Sequence, residues 1–91
     1  MTTTRQWNVE IYIDEHVDER MTNAEARLHT GDNRYLVGRG TAHRHPEDAE
    51  VAAIGDELAA ARALSSLAHE LIHTAATDIE QLTEEHVHLR S

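Results

Sequence analysis

Apolar Trp7, Val9, Ile11 and Ile13 alternate with Asn8, Glu10, Tyr12 and Asp14 near the start of the chain. A period of two puts alternate side chains on opposite faces, so this segment predicts a strand over about 6–15 with one apolar face. The acidic stretch from Asp14 to Arg20 is read as a connection. Ala24, Ala26 and Leu28 then alternate with Glu25, Arg27 and His29, which predicts a second strand over about 21–29. Thr30-Gly31-Asp32-Asn33-Arg34 is a turn cluster rich in residues that tolerate positive φ. A third strand is expected over about 34–43, with Leu36, Gly38, Gly40 and Ala42 on one face and Tyr35, Val37, Arg39, Thr41 and His43 on the other. Glycine has no side chain to pack inside a strand and marks a close backbone approach. Gly38 and Gly40 therefore predict a helix directly above them.

The period then changes. Pro46-Glu47-Asp48 closes the third strand and sets carboxylates near the positive end of a helix dipole. Val51, Ile54, Leu58, Ala61, Leu64, Ala68, Leu71, Ile72, Ala75 and Ile79 recur at spacings of three and four. They cover about 140° of a helical wheel, the width of a core-facing stripe. The expectation is a helix over about 51–76 that lays this stripe on the sheet. Gly55 costs about 1 kcal/mol inside a helix, so a regular start near Asp56 is the alternative. Residues 77–91 are expected to form a short helix or a mobile tail. The predicted fold is α+β: one domain over 1–91, two layers, a three-stranded antiparallel meander covered on one face by a long C-terminal helix.

Composition narrows the function. With no Phe, one Trp and two Tyr in 91 residues, the core must be built from Leu, Ile, Val and Ala. A chain this short buries roughly 60–65% of its unfolded surface, and self-association is a natural source of further burial. A homodimer or small homo-oligomer is expected. The net charge is −9 and every basic residue is Arg. That balance repels nucleic acid and anionic membrane, so neither is expected as a partner. Without cysteine there are no disulfides, thiolate metal sites or Cys nucleophiles. No segment has the apolar length of a membrane span or a leader peptide, so a cytoplasmic protein is expected.

Several of these pieces are familiar together. Ile54-Gly-Asp-Glu-Leu-Ala-Ala-Ala-Arg-Ala-Leu-Ser-Ser-Leu-Ala68, followed by Asp78-Ile79-Glu80, resembles the actinobacterial domain-of-unknown-function family DUF1876. Trp7-x-Val-x-Ile, Ala24-x-Ala-x-Leu28 and Gly38-x-Gly-x-Ala42 with Pro46 resemble it too, so the likeness spans about 6–82. The resemblance implies a β-β-β-α fold similar to the sheet and second helix of double-stranded-RNA-binding domains. It brings no activity and no catalytic residues. Ala52 stands where the resemblance leads one to expect Pro. Domains of the RNA-binding type dock the start of that helix on phosphates through lysines. Here the same region carries Glu47, Asp48, Glu50, Asp56 and Glu57, which would repel a duplex.

One motif points to enzyme chemistry. His69-Glu70-Leu71-Ile72-His73 matches H-E-x-x-H, in which two histidines one helical turn apart bind zinc and the glutamate activates a water. With eight His and eleven Glu, chance alone supplies about 0.08 such matches. A catalytic zinc needs a third protein ligand, and the spacing that would supply it falls on Ile79. Surface histidines are the favoured reading. His69 and His73 are kept as the metal candidates, with His43-Arg44-His45 and His86-Val87-His88 as further His-x-His pairs. Asp56 and Glu57 with Arg62 read as surface pairs on a helix rather than as an acid–base set. The reading is a non-enzymatic, self-associating protein with no cofactor and no catalytic residue. The alternatives are metal binding through the His-rich helix flank and tail, and a zinc hydrolase through the H-E-x-x-H match.

Overall fold

The computed structural model describes residues 1–31, 33–45 and 52–90, without the side chains of 85–90. Strands β1 (Asn8–His16), β2 (Met21–His29) and β3 (Tyr35–His43) form one antiparallel sheet in the order β1-β2-β3. The expected α+β meander and its covering helix are therefore what the chain adopts. The register is continuous: Ile11 lies opposite Ala26, and Ala26 opposite Gly38. Directly opposed residues share a face. Val9, Ile11 and Ile13 therefore join Leu28, Ala26 and Ala24 on one side, with Leu36, Gly38 and Gly40 beyond them. Asn33 closes the β2–β3 connection with φ of 66°, as its turn cluster predicts, and Arg20 takes φ of 51° in the β1–β2 turn.

Helix α1 (Ala52–Arg90) is longer than the period analysis suggests. It is one unbroken helix through the segment expected to be a short helix or tail. Its first described turn includes Gly55, so a start near Asp56 does not hold. A Cβ on Gly55 would meet Thr22 Oγ1 at 3.1 Å, so the glycine lets this turn sit against β2. Pro46, Glu47, Asp48, Glu50 and Val51, and Asp32 of the turn, lie outside the described residues.

The predicted close approach is present. A Cβ on Gly38 would lie 2.7 Å from Leu67 Cα, and closer still to the Ala63 carbonyl oxygen. One on Gly40 would lie 2.7 Å from the Arg62 carbonyl carbon. Backbone therefore rests on backbone, with the small side chains of Ala59 and Ala63 over Gly40 and Leu67 continuing the row over Gly38. The face on the sheet is Ala59, Ala63 and Leu67, at spacings of four, meeting Ala24, Ala26, Leu28 and Ala42 in the core. Leu36 and Leu71 pack at its margin.

This corrects the expected helix orientation. The stripe of larger apolar residues does not lie on the sheet. Ile54, Leu58, Leu64, Ile72 and Ile79 are all exposed. On the wheel they centre about 170° away from Ala63. Bulky side chains could not come within reach of the glycine backbone, so the alanine row wins the contact. The helix is also displaced sideways. It lies over β2 and β3 and only grazes β1, which leaves Val9, Ile11 and Ile13 about two-fifths exposed on the helix side.

Candidate functional site

The H-E-x-x-H residues lie in the middle of α1, with His69 and His73 on the same flank as Arg62. His69, Glu70 and His73 are all exposed. The His69 ring is held within its own helix: Nδ1 is 2.8 Å from the Ser65 carbonyl, which can only accept, so Nδ1 carries the proton. Among the described residues no three potential ligands come together, at His69 and His73 or elsewhere. His43 and His45 bracket the end of β3, and the side chains of His86 and His88 lie outside the described residues.

The outer face of the sheet carries an ordered polar ladder. Tyr12 donates to Glu10 Oε2 at 2.5 Å, and the Arg27 guanidinium stacks 4.0 Å over the Tyr12 ring. Arg27 Nε reaches Glu25 Oε1 at 3.0 Å, and Arg39 lies 4.0 Å from the same oxygen. Thr41 donates to Asn23, and the His29 and Tyr35 rings stand 5.0 Å apart across β2 and β3. Glu10 holds the Tyr12 phenol above its ordinary pKa through that hydrogen bond and through its charge, against the opposing pull of Arg27. The hydrogen bond to Glu25 likewise raises Arg27. Every strand contributes, and the period of two brings these groups to one face. The result is a surface of paired charges.

A cavity of about 310 Å³ opens at the end of the sheet where α1 begins. The β1–β2 turn supplies His16, Val17 and Arg20, β3 ends there with His43, and α1 lines it with Ile54 and Leu58.

An uncovered apolar surface lies on the helix. Arg62 donates to the Thr41 carbonyl at 2.7 Å, which pins one flank of α1 to β3. The opposite flank, carrying Leu64 and Leu71, turns toward the bare side of β1. Beyond Leu64 the surface continues through Ala61, Ala68 and Ile72 to Ile79 and Leu82. Leu64 is 41% exposed and Ile72 is 69% exposed. Sequence reasoning found these residues and assigned them the wrong neighbour. The signal that separates the two rows is in the chain: Ala59, Ala63 and Leu67 repeat every four residues, and the glycines they cover are two apart on β3. The Arg34–Asp78 ion pair, 2.7 Å, ties the helix to the start of β3 and was not anticipated. None of the described helices is long and apolar enough to cross a membrane.

Comparison with known proteins agrees with the fold and leaves the chemistry open. Uncharacterized protein Rv2632c of Mycobacterium tuberculosis is 49% identical over 79 residues, 87% of this chain and 82% of the relative. Uncharacterized protein Mb1767 of Mycobacterium bovis is 44% identical over 81 residues, 89% and 83% of the two chains. The crystal structure of Rv2632c superposes with a TM-score of 0.80 at 43% identity, covering 90% of this chain and 94% of that one. These relatives are mycobacterial, in keeping with the actinobacterial character of the resemblance. With residues 5–88 matching the family as a whole, the chain belongs to the Rv2632c-like family.

Proposed function

We propose that this protein is a non-enzymatic, cytoplasmic module that works as a self-associated assembly, with a binding role left to the surfaces that assembly does not cover. The observation that carries this reading is the outward turn of the apolar stripe on α1. A single copy buries alanines and leaves its isoleucines in water, the reverse of what the hydrophobic effect favours. The whole surface agrees: 7326 Å² is accessible, against about 5300 Å² for a compact monomer of this mass. The polar ladder on the outer sheet face supports the second half of the proposal, because its charges are already paired and ask for no cover. The non-enzymatic reading is supported by the place of His69 and His73 on a convex, exposed helix flank. We take the DUF1876 resemblance and the Rv2632c-like membership to be one grouping, since the spans about 6–82 and 5–88 nearly coincide.

Sedimentation equilibrium at several loading concentrations tests the assembly. A mass above 10.2 kDa at micromolar concentration is expected. A strict monomer at every loading would sink the proposal.

A further inference from the structure

We infer that the occupant of the outward face of α1 is the same face of a second copy, lying antiparallel across a two-fold axis at Ala68. The inference rests on the self-association reading and names its interface. Area is the first argument. Ile54, Leu58, Leu64, Ile72, Ile79 and Leu82 are each between 41% and 69% exposed. Together they present roughly 600 Å² of apolar surface per copy, at the lower end of the roughly 600–1000 Å² per partner that stable interfaces bury.

Pattern is the second argument, and it selects the direction. An antiparallel pair centred on Ala68 brings together residues whose numbers sum to 136. Ile54 then meets Leu82 of the second copy, Ala61 meets Ala75, and Leu64 meets Ile72. These layers are apolar on both sides, as an isologous two-fold contact allows, while Leu58 and Ile79 fall beside Asp78 and Glu57 of the second copy at the edges of the seam. Ala61, Ala68 and Ala75 recur every seven residues, which keeps one narrow seam facing the neighbour along both helices. Their small side chains let the two backbones approach closely at every second layer. A parallel pair would also align identical residues, but it would set both dipoles in the same sense and both sheets at the same end. The antiparallel pair opposes the dipoles.

Helix length is the third argument. A helix of 39 residues is about 58 Å long, and strands of nine residues span about 30 Å. Among the described residues the last printed tie to the sheet is the Arg34–Asp78 ion pair, and twelve helical residues follow Asp78. A helical end of that length is marginal in water on its own. In the antiparallel pair it lies against the start of the partner helix. There the second copy's Leu82 comes beside Ile54, at the mouth of the 310 Å³ cavity.

The chain has no cysteine, so single cysteines report the geometry in the full-length protein. Under mild oxidation Ala68→Cys should give a disulfide-linked dimer. Ala61→Cys and Ala75→Cys should each stay unlinked alone and cross-link when mixed and allowed to exchange. Ile72→Glu should weaken the dimer on the order of 100-fold, with its helical circular dichroism unchanged. Self-linking by Ala61→Cys and Ala75→Cys would overturn the antiparallel arrangement in favour of a parallel one. A dimer that survives Ile72→Glu and shows no Ala68→Cys link, yet is dissociated by Val37→Glu, would overturn this interface in favour of the outer sheet face and leave self-association standing. A native chain that is monomeric in sedimentation removes the reading beneath it.

Discussion

Gly38 and Gly40 decide where the helix goes. Neither has a positive φ, so their conformational freedom is not what the fold uses. What it uses is the missing Cβ, because helix backbone occupies the place one would fill. A helix backbone held by its own hydrogen bonds cannot yield as a flexible side chain can. Gly38→Ala or Gly40→Ala should therefore destabilise the protein by about 2–3 kcal/mol, the upper range for overpacking, although only one methyl is added. Gly31→Ala is the matched control. A Cβ there meets nothing within 4 Å, so the substitution should be neutral or mildly stabilising through the unfolded chain. Urea denaturation of the three variants checks this, and equal midpoints across the set would mean that the close approach is not maintained in solution.

Strands β1 and β2 are held differently from β2 and β3. The helix presses on β2 and β3, whereas β1 depends on its ladder with β2 and on the outer-face side chains. Tyr12 is central there, donating to Glu10 beneath the Arg27 guanidinium. Its pKa is raised in the folded chain, chiefly by the hydrogen bond to Glu10. The folded state therefore holds the phenolic proton more tightly than the unfolded state does. The stability this contributes is fully present below the ordinary tyrosine pKa of about 10 and is lost as pH rises through the raised value. Tyr12→Phe should lower stability at pH 8 and should flatten its decline in strongly alkaline solution. Urea midpoints of both proteins from pH 8 to 11.5 measure this, and parallel profiles would remove Tyr12 from the account.

The radius of gyration is 18.6 Å and the extents are 64 × 32 × 19 Å, whereas a compact chain of this length would have a radius near 12 Å. The molecule is long because α1 outruns the sheet and thin because two layers are all that one copy supplies. Among the described residues the core contains two leucines among alanines, with no large side chain fully buried. Hydrophobic stabilisation scales with the area removed from water, so a core of this kind leaves a single copy marginal. If assembly completes the fold, stability follows mass action. A tenfold rise in protein concentration adds about 1.4 kcal/mol per dimer and should raise the thermal midpoint by roughly 3–5 °C. Differential scanning calorimetry over two decades of concentration checks it, and an invariant midpoint would assign all the stability to the single copy.

The three strands, the turn at Thr30–Arg34 and the long helix are legible from local pattern alone, because side-chain alternation and helical spacing are properties of consecutive residues. The glycines of β3 even announce the helix above them. The same locality explains the misassigned face. Hydrophobic spacing shows that α1 carries an apolar stripe, but it has no information about which surface meets that stripe. Two rows compete for the sheet, one of larger residues through Ile54, Leu64 and Ile72 and one of small residues through Ala59 and Ala63. Their contest is settled by Gly38 and Gly40, some twenty residues earlier in the chain, because helix backbone can reach glycine backbone only past alanine. The H-E-x-x-H match has the same character: its helical spacing is a local fact, while a third ligand is a tertiary one. Strand and helix arise from neighbours in sequence. Which face is core and which stays exposed arises from how closely two backbones can approach.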